Sequence, residues 1–242
     1  MKSKDWENFF AQRWVDPLGN PQHGGYITPM MMKQLSFSTA PLPKDLPSFS
    51  LKHNKLIVSI PTCVFNSRSY QKQYIKTLRR ILLEFNADIL ELDLSNYYGG
   101  KTEIIISGLL PLFMLQSRKV LTKIKDRHDK LRYNLWIKND EIHNLPFSIS
   151  KTKPMKYIPR EIVVRMNQFT ASAGEQVILA LPVLKSVTKV RFVGQPTAGM
   201  TTWIDFNVLS NGGALEYPVG IVVSVVGIEP RSDRRLYPSD FN

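Results

Sequence analysis

Apolar residues recur along the chain with two spacings, and the alternation between them predicts a layered α/β protein. Leu56, Ile57, Val58 and Ile60 make a short apolar run of strand length over 55–61. Over 69–85, Tyr74, Leu78, Ile81, Leu82 and Phe85 return at helical spacing. Residues 87–94 give a second buried strand, Gly99 and Gly100 end it, and 102–115 gives an apolar helix. Strand, helix, strand, glycine turn, helix is the order of a parallel sheet with crossover helices. Further strands are expected at 131–137, 161–165 and 190–193, a helix at 176–184, and a β-rich stretch at 201–226 with a turn at Asn211-Gly212-Gly213. Ahead of these lie one short strand near 26–31 and an extended link marked by Pro41, Pro43 and Pro47.

The expected architecture is therefore an α/β core, with a mixed β-sheet and crossover helices, over residues 51–242. An N-terminal segment, 1–50, precedes it, and a small cap or insertion is expected near 115–160. A chain of 242 residues with 43% apolar composition can bury a core of that size. No apolar run reaches the ~18 residues that span a bilayer, and Met1-Lys2-Ser3-Lys4-Asp5-Trp6 starts no apolar signal core. The expected place is the cell surface if an anchor precedes this sequence, and the cytoplasm otherwise.

Charge and cysteine content narrow the function classes. Cys63 is the one cysteine, so no internal disulfide forms, and one Cys with four scattered His builds no zinc spacing. It lies within an apolar run and is expected to be a buried small hydrophobe. No metal and no cofactor are expected. The net charge is +12, and residues 118–138 hold eight Lys or Arg against two Asp. Such a surface suits an anionic neighbour, including a membrane surface or cell-wall polymer. The run itself is read as a solvated helix face, and no nucleic-acid-binding motif accompanies it.

The chemistry is expected in Asn167-Gln168-Phe169-Thr170-Ala171-Ser172-Ala173-Gly174-Glu175, which puts a serine between a strand and a helix. The first N–H groups of a helix are unpaired and, with the helix dipole, favour negative charge. A serine there attacks while adjacent N–H groups hold the oxyanion that develops. The plainer reading of Ser172 or Thr170 is a helix cap.

Four segments carry a family resemblance. Thr170-Ala171-Ser172-Ala173-Gly174-Glu175 resembles the nucleophile motif of the S41 C-terminal-processing (tail-specific) serine peptidases. Val193-Gly194-Gln195-Pro196-Thr197-Ala198-Gly199 is similar to the glycine turn that follows it there. Leu92-Asp93-Leu94-Ser95-Asn96-Tyr97-Tyr98-Gly99-Gly100 is similar to the family's strand and glycine-rich turn, and Gly227-Ile228-Glu229-Pro230 to its C-terminal motif. The resemblance implies a core like that of the ClpP and crotonase folds, and a peptide or protein substrate cut near its C-terminus through an acyl-enzyme. Many members pair the serine with a lysine just past the second glycine turn. Met200 stands there, and a thioether takes no proton.

A second branch of the family, which includes the nisin resistance proteins, uses a histidine. Its His-Ser-x-aromatic motif resembles His23-Gly24-Gly25-Tyr26. His23 is then the expected base for Ser172, since an imidazole takes the hydroxyl proton near neutral pH and returns it to the leaving amine. The oxyanion hole implied by the resemblance is the N–H of Ala173 with that of Gly99 or Gly100. The family usually has Asn-Gly-Gly-Gly where this chain has Tyr97-Tyr98-Gly99-Gly100, and Tyr98 stands where it would crowd the site. Glu175 and Glu229 are candidates to orient the histidine. Two other readings stand beside the peptidase: a non-catalytic binding protein on the same fold, and crotonase-type acyl-CoA chemistry, which would need no nucleophilic serine.

Overall fold

Short β-branched runs and longer amphipathic stretches are separated by explicit turns. The computed structural model describes residues 25–29, 45–63, 67–143, 145–210 and 212–241. In chain order it gives β1 (Gly25–Ile27), β2 (Ser48–Lys52), β3 (Lys55–Ser59), helix α1 (Arg68–Glu84), β4 (Ile89–Asp93), helix α2 (Thr102–Phe113), β5 (Val120–Asp126), β6 (Leu131–Lys138) and β7 (Glu141–Ile142). There follow β8 (Glu161–Met166), helix α3 (Ala173–Ala180) running into the 3-10 turn Leu181–Ser186, then β9 (Lys189–Gly194), β10 (Thr202–Val208), β11 (Ala214–Ser224) and a last 3-10 turn, Pro238–Phe241.

The strands form two sheets. One has the order β2-β3-β4-β8-β9, with β2 antiparallel at the edge and the rest parallel. Its register aligns Val58, Leu92, Val164 and Phe192 in one row, all at most 2% exposed. These belong to one core with Ile75, Leu78 and Leu109 of the two long helices. The other sheet is antiparallel, in the order β1-β11-β5-β6-β7, and β10 pairs with β11.

Two packing details explain how α1 and α2 fit. A Cβ on Gly108 would lie 2.7 Å from Leu78 Cδ2, so the crossing needs a residue without one. Pro111 sits inside α2 and has no N–H for the carbonyl of Ser107, four residues back. Arg79 of α1 supplies that donor: its Nε bonds the Ser107 carbonyl at 2.8 Å in a buried setting.

Several expectations change in detail. The link before the core holds an unforeseen strand, β2, joined to β3 by His53 and Asn54 with φ of 46° and 61°, as a two-residue primed turn needs. The basic run 118–138 is not a helix face. It is the hairpin β5–β6, because the Asp126 carboxylate collects the N–H groups of His128 (2.8 Å) and Lys130 (3.0 Å) and reverses the chain. The helix expected from 176 begins at Ala173 and tightens to 3-10 geometry from Leu181. Within 115–160, β5 pairs with β11, so this stretch shares a sheet with the C-terminal strands. Cys63 is buried, and burial pushes its thiol up to about 11, with Lys101 pulling the other way.

Candidate active site

The site lies at the carboxyl ends of β4 and β8, where parallel strands open toward ligands. After β8 the chain makes a tight side-chain-stabilised turn. Asn167 Oδ1 accepts the Phe169 N–H at 2.9 Å, Thr170 Oγ1 accepts the Asn167 N–H at 3.0 Å, and the Thr170 hydroxyl donates to the Leu94 carbonyl at 2.8 Å. The turn delivers Ser172 to the start of α3 with φ 51° and ψ −113°. A residue with a Cβ rarely adopts this conformation, and it costs about 1–3 kcal/mol. Surrounding bonds must impose it.

Glu175 supplies much of that constraint. It is fully buried, and its carboxylate accepts the Ser172 N–H at 3.0 Å, the Gly199 N–H at 2.9 Å and the Met200 N–H at 2.8 Å, together with the Thr197 hydroxyl. Burial pushes this carboxyl up to about 7, against the pull of the bonds from Thr197, Gly199, Ser172 and Met200. The second glycine turn is thus tied to the serine through one side chain. A further layer holds Thr197: its N–H bonds the Leu236 carbonyl at 3.0 Å and its Oγ1 accepts the Leu236 N–H at 2.9 Å.

The turn after β4 meets the serine from the other side. The Ala171 N–H donates to the Tyr97 carbonyl at 2.9 Å, and the Leu94 N–H to the Arg165 carbonyl at 2.9 Å, so the two turns are stitched together. Gly174 allows this approach, because a Cβ there would lie 3.0 Å from the Tyr97 ring and 3.2 Å from its carbonyl oxygen. Gly99, at φ 132°, faces the serine: a Cβ on it would stand 3.4 Å from Ser172 Cβ and 3.9 Å from Oγ. Gly100, at φ 123°, faces away. It bridges to Cys63, and a Cβ on it would collide with the Cys63 carbonyl oxygen at 2.2 Å.

The structure therefore brings Ser172, Ala173 and Gly99 together, and sets Gly100 beside Cys63. Ala173 is the first residue of α3, where the N–H groups lack helical partners. His23 and Gly24 lie outside the described residues. Glu229 is remote from this cluster in its bonding, paired with Lys125 at 3.1 Å on the surface. Met200 takes part through its backbone N–H. Sequence reading gave Glu175 no role beyond charge at a helix start or orienting the histidine, and passed over Thr197. The available signal was the spacing Ser172-x-x-Glu175, which is that of a capping box. Among the described residues no group of His, Cys, Asp or Glu is placed to hold a metal ion, and no helix is long and apolar enough to cross a membrane.

Comparison with known proteins gives the family and the fold. The profile of one family, described as Peptidase family S41, matches residues 46–229. A lipoprotein from Streptococcus agalactiae is similar in structure, with a TM-score of 0.74 and 25% identity, over 98% of this chain and 77% of that one. A Bacteroides fragilis protein assigned to the S41 proteases has a TM-score of 0.51 at 18% identity, over 80% of this chain and 49% of that one. The chain thus spans about half of the Bacteroides protein, and that likeness concerns the fold. No curated protein matches the sequence.

Proposed function

The chain belongs to peptidase family S41, and from that premise we propose that it is a serine peptidase that cuts peptides near their C-terminus with Ser172 as nucleophile and His23 as general base. The observation that carries this reading is the backbone of Ser172, held at φ 51° against Gly99 at the N-terminus of α3. A helix cap needs no such conformation, since the preferred caps sit in the extended region. A nucleophile does need it, to present Oγ with free N–H groups on either side.

The reaction follows from the roles. Ser172 Oγ attacks the scissile carbonyl carbon as His23 takes the hydroxyl proton. The carbonyl oxygen becomes an oxyanion, held by the N–H of Ala173 and that of Gly99, with Gly100 stiffening the turn against Cys63. Collapse breaks the C–N bond, the amine leaves with the proton from His23, and an acyl-Ser172 remains. Water, deprotonated by His23, hydrolyses the ester and restores the serine. Support for His23 comes from the motif and from β1. This strand begins two positions after the histidine and pairs with β11, on which α3 packs. The tail preference rests on the four motifs alone. A position near a membrane or cell-wall surface fits the net charge of +12 and the lipoprotein status of the Streptococcus relative.

Labelling with a fluorophosphonate probe tests the nucleophile. Covalent labelling that maps to Ser172 and disappears in Ser172→Ala is the expected result. A folded wild-type protein that takes no label, and cuts no peptide in a mixed library, would overturn the peptidase in favour of a binding protein.

A further inference from the structure

The same stitching that sets Gly99 against Ser172 also sets two exposed aromatic rings together at the mouth of the site. Tyr98 precedes Gly99, and Phe169 lies three positions before Ser172. Their ring centroids are 5.9 Å apart and the planes are inclined by 54°. Neither ring is buried by the protein: Tyr98 is 60% exposed and Phe169 46%. Yet both backbones are fixed. The Tyr98 N–H bonds Thr62 Oγ1 at 2.9 Å, and the Phe169 N–H bonds Asn167 Oδ1 at 2.9 Å. Large aromatic surface on rigid turns, left in water beside a nucleophile, is costly unless something covers it. Tyr98 also lines an open cleft with Leu46, Ile60, Pro61 and Thr62, together with Asp45 and Asp93, which offers a path for the rest of an extended peptide.

We propose that Tyr98 and Phe169 form an aromatic clamp that takes a large apolar or aromatic side chain of the substrate next to the scissile bond, and so set the specificity of the peptidase. The inference rests on the peptidase reading above. Inclined rings nearly 6 Å apart present a wedge-shaped apolar surface. A Phe or Leu side chain covering both faces loses water on each side, whereas Ala reaches neither. Burial of such a side chain is worth roughly a tenfold gain in kcat/KM or more. Charged residues leave their hydration for no partner there, so Asp and Glu are rejected.

The test uses quenched-fluorescent peptides in which Phe, Leu, Ala and Asp are scanned through the positions flanking the cut, with fluorophosphonate labelling run in parallel. Wild type is expected to cut the Phe and Leu peptides at least about tenfold more efficiently than the Ala peptide. Tyr98→Ala and Phe169→Ala each reduce that preference, mainly through KM. The double variant removes it to within about twofold, and Tyr98→Phe keeps it. Three results overturn the clamp while leaving the nucleophile in place: a wild type that labels at Ser172 but shows no preference, a preference that survives in the double variant, or a Tyr98→Ala variant that is faster on every peptide alike, which would make Tyr98 a cover. Absence of labelling removes the peptidase reading and the clamp with it.

Discussion

The carboxylate of Glu175 accepts the backbone N–H of Ser172 at 3.0 Å, from a position one helical turn further along the same chain. The same two oxygens also receive Thr197, Gly199 and Met200. A single buried side chain therefore fixes both the serine and the second glycine turn. That is a positioning role, and it makes Glu175 the residue whose loss should be felt most widely.

Glu175→Ala leaves four donors facing a cavity. Each buried donor without an acceptor costs about 1–3 kcal/mol, partly relieved by water entry, so a loss of roughly 3–5 kcal/mol of stability is expected by urea denaturation. Glu175→Gln keeps the shape and one acceptor oxygen. It should lose less stability, yet still slow fluorophosphonate labelling of Ser172, because its NH2 group turns toward a donor. A Gln variant that labels at the wild-type rate would show that the Ser172 conformation does not depend on the carboxylate.

The pH dependence has a definite sign. Burial raises the Glu175 carboxyl from its ordinary value of 4.5 to about 7 in the folded protein. The folded state then binds the proton more tightly than the unfolded state. Its stabilising contribution is complete below about pH 4.5 and is lost as pH rises through 7, a change of about 3 kcal/mol. The quantity to measure is the stability of wild type minus that of Glu175→Gln, from pH 4.5 to 8. It should fall across this window and level off above 7. A difference that grows with pH would mean that the four donors outweigh burial and keep the group ionised.

Neighbouring glycines should fail in different ways. Gly99→Ala places a methyl group 3.4 Å from Ser172 Cβ and 3.9 Å from Oγ at φ 132°. Folding should suffer by about 1–3 kcal/mol, and kcat by at least about tenfold, since the methyl occupies the approach to the nucleophile. Gly100→Ala drives a methyl into the Cys63 carbonyl and should chiefly lower Tm. Unfolding curves and labelling rates for the two proteins, compared side by side, check this. Equal labelling in wild type and Gly99→Ala would remove Gly99 from the site.

His23→Gln should reduce kcat by about a thousandfold or more with little change in Tm, because a general base acts on chemistry alone. The wild-type kcat/KM profile should show an acid limb in the histidine range, near 6.5. Residual labelling in His23→Gln separates the two titrations, since any remaining limb near 7 belongs to Glu175. Activity that appears only at strongly alkaline pH would indicate a lysine base instead.

The sequence reading reached furthest where local chemistry decides structure. The strand at 55–61, the helices from 69 and 102, and the serine between β8 and α3 all follow from spacing and turn residues. It failed where distant partners decide. Strand β2 exists because β3 offers it an edge. The basic run is turned into a hairpin locally, by Asp126, but its place in a sheet depends on β11, about a hundred residues later. Glu175 looked like an ordinary helix-start acid because three of its four donors come from 22 to 25 residues downstream. Tyr98 was expected to crowd the serine; its ring lies against Phe169 and is 60% exposed, a pairing that spacing along the chain does not reveal.

Leu236 grips Thr197, Thr197 bonds Glu175, and Glu175 holds Ser172. Residues are delivered to this relay in the order of translation, so the serine leaves the ribosome 64 positions before the leucine that secures it. Until Leu236 has emerged and docked, the strained backbone of Ser172 lacks its outermost support. If Ser172 is the nucleophile, a nascent chain with β8 and α3 already folded is expected to stay inactive until Leu236 has docked.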